Sequence, residues 1–330
     1  MRKLAMWFGV SLLAVFLLAA CGNGNTGEGN QQGKNPDNDT AAATGDSKDD
    51  KLKVVTSFTI IADMARQIGG DAVDVYNLVP SGTDPHEYEP LPDDIKAATD
   101  ADILFYNGLN LEGGKEGWFF KMIGTVGQKE ENVFSVTERV EPMYLTNEDG
   151  REEEINPHAF IDPAVGIKMA EDMRNVLVKR HPSKSDEIQE RGDEYVARLK
   201  ELDEEYETRI ADIPEEDRIL VTSERAFQYM TTHYGLYEAY IWEIDTEENG
   251  SPTQIKNLVT FIKENEVPVL FLESNVDPRP METVSKETGV PIAEKAIYSD
   301  EIGNPGDEID TYVKYLDYNI NLIHDELSKN

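Results

Sequence analysis

The chain of 330 residues has one cysteine, Cys21, and only five histidines. A single cysteine rules out an internal disulfide, and the position of Cys21, discussed below, leaves no thiolate for a metal site. Basic residues are scarce, 31 Lys and Arg against 65 Asp and Glu, for a formal net charge of −34. Such a surface repels phosphate backbones, which removes nucleic acid from the possible partners. It attracts small cations only weakly at physiological salt, so the charge keeps an exported protein soluble without arguing for a metal. No H-E-x-x-H signature is present, and the strongest sequence mark of a metallohydrolase is therefore missing. Hydrophobic residues make up 39%, a little low, and long apolar runs are confined to the N-terminus.

That N-terminal run has a recognisable grammar. Arg2 and Lys3 precede a mostly apolar stretch over residues 4–18, and Leu18-Ala19-Ala20-Cys21 follows. A positive segment, an apolar segment and small residues before a cysteine describe a secretory signal ending in a lipobox. Residues 1–20 are expected to be removed as a signal peptide. Cys21, carrying a diacylglyceride on its sulfur, then becomes the N-terminus, and two or more acyl chains anchor it stably to the bilayer. Residues 21–50 are rich in Gly, Asn, Asp, Thr and Ala without apolar periodicity, the composition of a disordered tether.

From residue 53 onward strands alternate with helices. Strands are expected at 54–58, 73–79 and 102–106, with helices at 60–68 and 92–98. After a change of pattern, further strands are expected at 218–222, 239–242, 269–272 and 295–298. Helices are expected at 226–234, 253–265, 280–288 and 310–327. This order predicts an α/β fold of two lobes, each a mostly parallel sheet flanked by helices. Between them Ile188, Tyr195, Leu199, Leu202, Tyr206 and Ile210 recur at helical spacing among charged residues, interrupted once by Gly192. The reading is one long rigid helix joining an N-terminal lobe (51–181) to a C-terminal lobe (214–330) through residues 182–213.

Two loops share a frame. "DPHEYEP" carries His86 and "NPHAFIDP" carries His158; each has a Pro-His pair, an aromatic two residues later, and an acid followed by proline. Proline before the histidine limits how far the ring can wander. Glu224 and Asp300 lie in further loops, mostly just after expected strands, where parallel α/β sheets present their chemistry. Imidazole and carboxylate together suit a first-row divalent ion such as Mn2+, Fe2+ or Zn2+. Asp162 is a candidate to orient an imidazole's second nitrogen. Glu224 and Asp300 could instead cap local structure, with Asp307 or Asp310 as the alternative ligand. Tyr88 and Phe160 read as core packing, and His181, His233 and His324 as structural.

From about residue 54 to 327 the chain resembles the metal-binding lipoproteins of ABC importers, the solute-binding family that takes up manganese or zinc. The segments that carry the resemblance are "LVPSGTDPHEYEP", "DADILFYNGLNLE", "NPHAFIDP", "LVTSERAFQYM", "AYIWEIDTEENGSPTQI", "LFLESNVDPRPMETVSKETGVPI" and "IYSD". The resemblance implies two lobes joined by a rigid helix, one metal in the cleft between them, and the ligand set His86, His158, Glu224 and Asp300. Zinc importers of the family resemble this pattern with a third histidine in place of Glu224 and commonly a His-rich acidic loop. Here the stretch from Asn107 to His158 holds acids and no histidine before His158 itself. Two histidines with two carboxylates form a harder site, which suits Mn2+ by ligand type, with Zn2+ or Fe2+ as alternatives. Because Mn2+ stands lowest in the Irving–Williams order, Zn2+ is expected to bind at least as tightly in vitro.

The resulting expectation is a lipid-anchored, monomeric binding protein on the extracytoplasmic face of the cell membrane. It would hand its ion to an ABC permease with a cytoplasmic ATPase. Four protein donors without an open position or a general base hold an ion rather than activate water, so no enzymatic activity is expected. The competing classes are an exported metallohydrolase, with Glu224 or Glu87 as base, and a surface adhesin. The long helix is expected to resist wide hinge closure, leaving metal release to a local rearrangement of the C-terminal lobe.

Overall fold

The computed structural model describes residues 51–146, 152–244 and 250–329. The expected signal segment, Cys21 and the tether lie outside the described residues. No helix among the described residues is long and apolar enough to cross a membrane.

The N-terminal half is built on a parallel sheet of four strands. These are β1 (Leu52–Thr56), β2 (Val73–Asn77), β3 (Ile103–Tyr106) and β4 (Val133–Ser135), in the order β2-β1-β3-β4. Val54, Val55, Ile103, Leu104 and Phe105 are all buried, as continuous apolar strands covered on both faces require. Helices α1 (Thr59–Gly69), α2 (Pro92–Asp100), α3 (Trp118–Val126) and α4 (Pro163–Arg180) surround it. The expected strands and first two helices are present within a few residues of their expected bounds. Strand β4, helices α3 and α4 and a small antiparallel hairpin of β5 (Tyr144–Thr146) and β6 (Glu152–Ile155) are additions to the sequence reading.

The long helix α5 (Ser185–Asp212) has 28 residues, about 42 Å at 1.5 Å per residue. It buries Ile188, Tyr195, Val196, Leu199, Leu202, Tyr206 and Ile210 along one stripe. Gly192 is part of that stripe: a Cβ there would lie 2.5 Å from the side chain of Arg174 on α4. The residue that interrupts the sequence pattern is thus what lets α4 and α5 pack closely. α5 also packs against α1 and, in the other half, against α6 (Gln228–Tyr234) and α9 (Tyr312–Leu327), as a spine joining two lobes must.

In the C-terminal half, β7 (Ile219–Glu224) pairs in parallel with β8 (Tyr237–Trp242), covered by α7 (Pro252–Asn265) and α8 (Pro278–Thr288). The segments expected as strands at 269–272 and 295–298 continue this sheet only through isolated parallel bridges, Leu270 to Ile292 and Glu273 to Ile297. The physical reason is a register break. Between the two bridges one segment advances three residues (270 to 273) while its partner advances five (292 to 297), so no regular ladder forms. Phe271 N–H still donates to Val221 O at 2.8 Å, which keeps the segment beside β7.

Candidate metal centre

The two Pro-His frames are held by the same local device. In the loop after β2, Asp84 Oδ1 accepts the backbone N–H of His86 at 2.7 Å. In the turn before α4, Asn156 Oδ1 accepts the N–H of His158 at 3.1 Å. An Asp or Asn side chain bonding the backbone two residues on is an Asx-turn, and the intervening proline stiffens it. The sequence reading credited the proline alone; the Asx residue two positions before each histidine is the signal it missed.

Asn156 does more. Its Oδ1 also faces His158 Nδ1 at 2.8 Å. That contact places the proton on Nδ1 and leaves Nε2 as the lone-pair donor. Asn156 is itself oriented by donating from Nδ2 to Arg225 O (2.8 Å) and Gln228 Oε1 (3.0 Å). Asp162, the expected partner of an imidazole in this site, serves elsewhere. It caps α4 by accepting from Ala164 N–H at 2.9 Å and pairs with His233 Nδ1 at 3.0 Å. It lies four positions after His158, and the helix start and His233 claim its oxygens.

The His86 loop is braced by Trp118, whose Nε1–H donates to Pro85 O at 2.9 Å, and by Tyr88, which packs edge-on against Trp118. Tyr88 O–H also donates to Asp94 Oδ2 at 2.7 Å. Phe160 is buried against Phe58. Both aromatics are packing residues, as expected.

These loops bring His86 Nε2 to 3.2 Å from His158 Nε2. Asp300 Oδ1 lies 3.2 Å from His158 Nε2, and Glu224 Oε1 lies 3.8 Å from it. The donor atoms of His86, His158 and Asp300 all lie within 4.8 Å of one another; Glu224 stands at the edge of this triad. Donors arranged tetrahedrally at about 2.0–2.2 Å from an ion are roughly 3.3–3.6 Å apart, so the spacing fits a shared ion. His158, Glu224 and Asp300 are 0%, 1% and 4% exposed, while His86 is half-buried. Two carboxylates and two imidazoles in so dry a space would pay heavily in desolvation, a cost that a divalent cation offsets.

The carboxylates are aimed by long-range bonds. Asp300 Oδ2 accepts from Asn275 Nδ2 (3.0 Å) and Ser299 Oγ (3.3 Å), leaving Oδ1 toward the histidines. Burial pushes the Asp300 carboxyl up, but the imidazoles of His158 and His86 and the Asn275 amide outweigh it and hold the carboxyl well below its usual range. Burial and the neighbouring His158 lower His86 below the ordinary histidine value, against the opposing charges of Asp300 and Asp84. Both shifts favour the states that ligate a metal, ionised Asp and neutral His.

Glu224 closes β7, where Glu273 Oε1 accepts its N–H at 2.8 Å and that of Ser223 at 2.9 Å. In the other half Glu112 does the same at the end of β3, accepting from Asn107 N–H (2.6 Å) and Gly108 N–H (3.2 Å). Asn107 in turn donates from Nδ2 to Pro157 O at 3.0 Å, beside His158. Burial pushes both glutamates up to about 7 against these bonds. Neither was singled out in the sequence reading, since a glutamate followed by Gly113 or Ser274 carries no motif.

Asp307 and Asp310, the alternatives to Asp300, are engaged at the entry to α9. Asp307 accepts from Asn304 N–H, and Asp310 from Gly306 N–H and Lys314 Nζ. His181 meets Ser183 Oγ, and His324 meets Asp212 and Asp325. His233, with Asp162 and Asp203, forms a second His-carboxylate cluster away from the centre.

Residues 54–326 match the family described as "ZnuA: Zinc-uptake complex component A periplasmic". The chain belongs to this family. Among its relatives is the manganese ABC transporter substrate-binding lipoprotein PsaA of Streptococcus mitis, 41% identical over 332 residues and covering all of both chains. Another is the iron ABC transporter substrate-binding lipoprotein MtsA of Streptococcus pyogenes serotype M6, 38% identical over 331 residues and 99% of both chains. The solved structure of the periplasmic zinc-binding protein TroA from Treponema pallidum superimposes with a TM-score of 0.76 at 27% identity, over 84% of this chain and 100% of that one. The family is named for an uptake complex, and the PsaA and MtsA relatives are named as ABC transporter substrate-binding lipoproteins; the chain is accordingly a solute-binding protein and not an enzyme, as expected. The two-lobed α/β expectation agrees with the TroA-type fold.

Proposed function

We propose that this protein captures a divalent transition metal outside the membrane, with Mn2+ as its physiological cargo, and delivers it to an ABC permease powered by a cytoplasmic ATPase. The observation that carries the reading is the convergence of His86, His158 and Asp300, with Glu224 at 3.8 Å, from four separate stretches of chain. Each donor follows the architecture: two Asx-Pro-His turns in the N-terminal lobe and, in the C-terminal lobe, Glu224 at the end of β7 and Asp300 just after the Ile297 bridge. With lobes at 51–181 and 214–330 and the spine at 182–213, the ion sits between them. Anchoring through a diacylated Cys21 fits relatives named as lipoproteins along their whole length.

The donor set of two imidazoles and two carboxylates favours Mn2+ by hardness, and Mn2+ is what the PsaA relative is named for. Iron is the second reading, favoured by the MtsA relative over nearly the same length. The test is the metal content of protein purified from manganese-replete cells, alongside competition titration of Mn2+, Fe2+ and Zn2+. One Mn2+ per chain in the native protein, with Zn2+ at least as tight in vitro, is the expected result. Stoichiometric zinc with no measurable Mn2+ binding would overturn the manganese assignment.

A further inference from the structure

Three successive residues of the C-terminal half each reach across to the N-terminal half. Asp300 Oδ1 faces His158 Nε2 at 3.2 Å. Glu301 Oε2 accepts from Ser81 Oγ at 3.3 Å and from the backbone N–H of Gly82. Ile302 N–H donates to Thr59 Oγ1 at 3.1 Å, at the first residue of α1. We infer that Glu301 is a positioning residue that fastens the Asp300 segment to the loop carrying His86, and that this fastening sets how fast the site releases its ion. The inference rests on the metal-binding reading above.

The geometry of the acceptor's partners supports it. Ser81 and Gly82 sit in a tight turn closed by Thr83 N–H to Pro80 O at 3.2 Å. Gly82 has φ +82, a conformation that L side chains rarely adopt, and nothing lies within 4 Å of where its Cβ would be. Backbone conformation rather than space is what calls for glycine here, and that conformation offers the N–H to the opposite lobe. His86 follows four residues later in the same loop, which Trp118 and Tyr88 brace from behind. One carboxylate oxygen with two donors is a charge-assisted arrangement, stronger than bonds between neutral groups. The backbone of Asp300 therefore cannot move far from the histidines without Glu301 leaving the turn, since the two residues are adjacent. The carboxylate of Glu301 is committed to the turn, so it holds the ligands' frame rather than the ion.

The test is stopped-flow transfer of Mn2+ from the loaded protein to an excess of chelator, for wild type, Glu301→Ala, Ser81→Ala and the double variant. Glu301→Ala is expected to release Mn2+ roughly tenfold faster, equivalent to about 1.4 kcal/mol. Its association rate and its Mn2+ electron paramagnetic resonance spectrum should stay those of wild type. Ser81→Ala, a milder change that leaves the Gly82 bond, should give a smaller acceleration that disappears in the Glu301→Ala background. Release within twofold of wild type, an undiminished Ser81→Ala effect in the double variant, or an altered resonance spectrum for Glu301→Ala would each overturn the role given to Glu301. A wild-type protein that binds Fe2+ or Zn2+ but no Mn2+ would overturn the manganese assignment, and the same release test then runs with that ion; one that binds none of the three would overturn the metal reading, and this inference with it.

Discussion

The two histidines and the two carboxylates of the centre are held in opposite ways. His86 and His158 are each fixed by an Asx side chain two residues away in sequence. Asp300 is fixed by Asn275, 25 residues away, and the backbone of Glu224 by Glu273, 49 residues away. The imidazole loops thus begin as local turns stiffened by proline, which bonds with Trp118, Asn107, Arg225 and Gln228 then brace. The carboxylates are in place only when the irregular, bridge-linked part of the C-terminal sheet is assembled. A protein that must both hold and surrender an ion gains from this division. On the proposed metal reading, the locally framed imidazoles would keep the site and the more remotely fixed carboxylates would govern retention.

The comparison can be broken most directly at the ligands. His158 is fully buried and within 3.8 Å of donor atoms from each of the other three residues. His158→Ala is expected to abolish stoichiometric binding in calorimetric titration, a loss greater than the 10–100-fold typical of residues that only orient ligands. Stoichiometric binding of near wild-type affinity in that variant would remove His158 from the centre.

One step smaller are the orienting amides. Asn156→Ala frees both the backbone and the Nδ1 of His158, and is expected to weaken metal binding by about 10–100-fold. Asn275→Ala, which loses a single bond to Asp300, should sit at or below the lower end of that range, because Ser299 still supports Oδ2. Equal losses for the two variants would contradict the contrast between a locally fixed and a remotely fixed donor.

Acid probes the same contrast through protonation. His86 is held below its ordinary value of 6.5, so as pH falls toward that value it is less protonated than an ordinary histidine. Asp300 is held well below the usual carboxylate range and stays ionised throughout the same interval. Metal affinity should therefore hold until the pH is below the ordinary histidine range and then fall as protons compete for His86. Titrations from about pH 7.5 downward check this, and an affinity that already falls steeply above the ordinary histidine value would contradict the lowered His86.

The smallest expected effect is on overall shape. Because α5 packs against helices of both halves along about 42 Å, apo and metal-loaded forms should give nearly superimposable solution-scattering profiles. A large change in radius of gyration would mean that the spine bends and that release is not local.

Local chemistry made several features readable in advance. Apolar runs bounded by turn residues mark β1, β2 and β3 of the N-terminal sheet but not β4, helical spacing marks α5, and a Pro-His pair marks each imidazole loop. These depend on interactions within a few residues, which sequence order displays directly. The regular ladder expected at 269–272 and 295–298 failed because register depends on how two distant segments align. Asp162 was a plausible partner for an imidazole by proximity in sequence, but the start of α4 and His233 claimed it in space. Likewise nothing near Glu112, Glu273 or Glu301 in the sequence distinguishes them from the chain's many other acids; only burial and cross-lobe bonding do.

The sequence by itself therefore determined which residue types could meet a metal and which loops would present the imidazoles, because Asx-Pro-His turns are short-range structures. Only the tertiary structure decided that His86, His158, Glu224 and Asp300 face one another, which bonds aim each of them, and that Glu301 ties the two ligand loops together. Those outcomes depend on contacts between segments up to 220 residues apart, where the burial of whole elements, rather than any local preference, selects the neighbours.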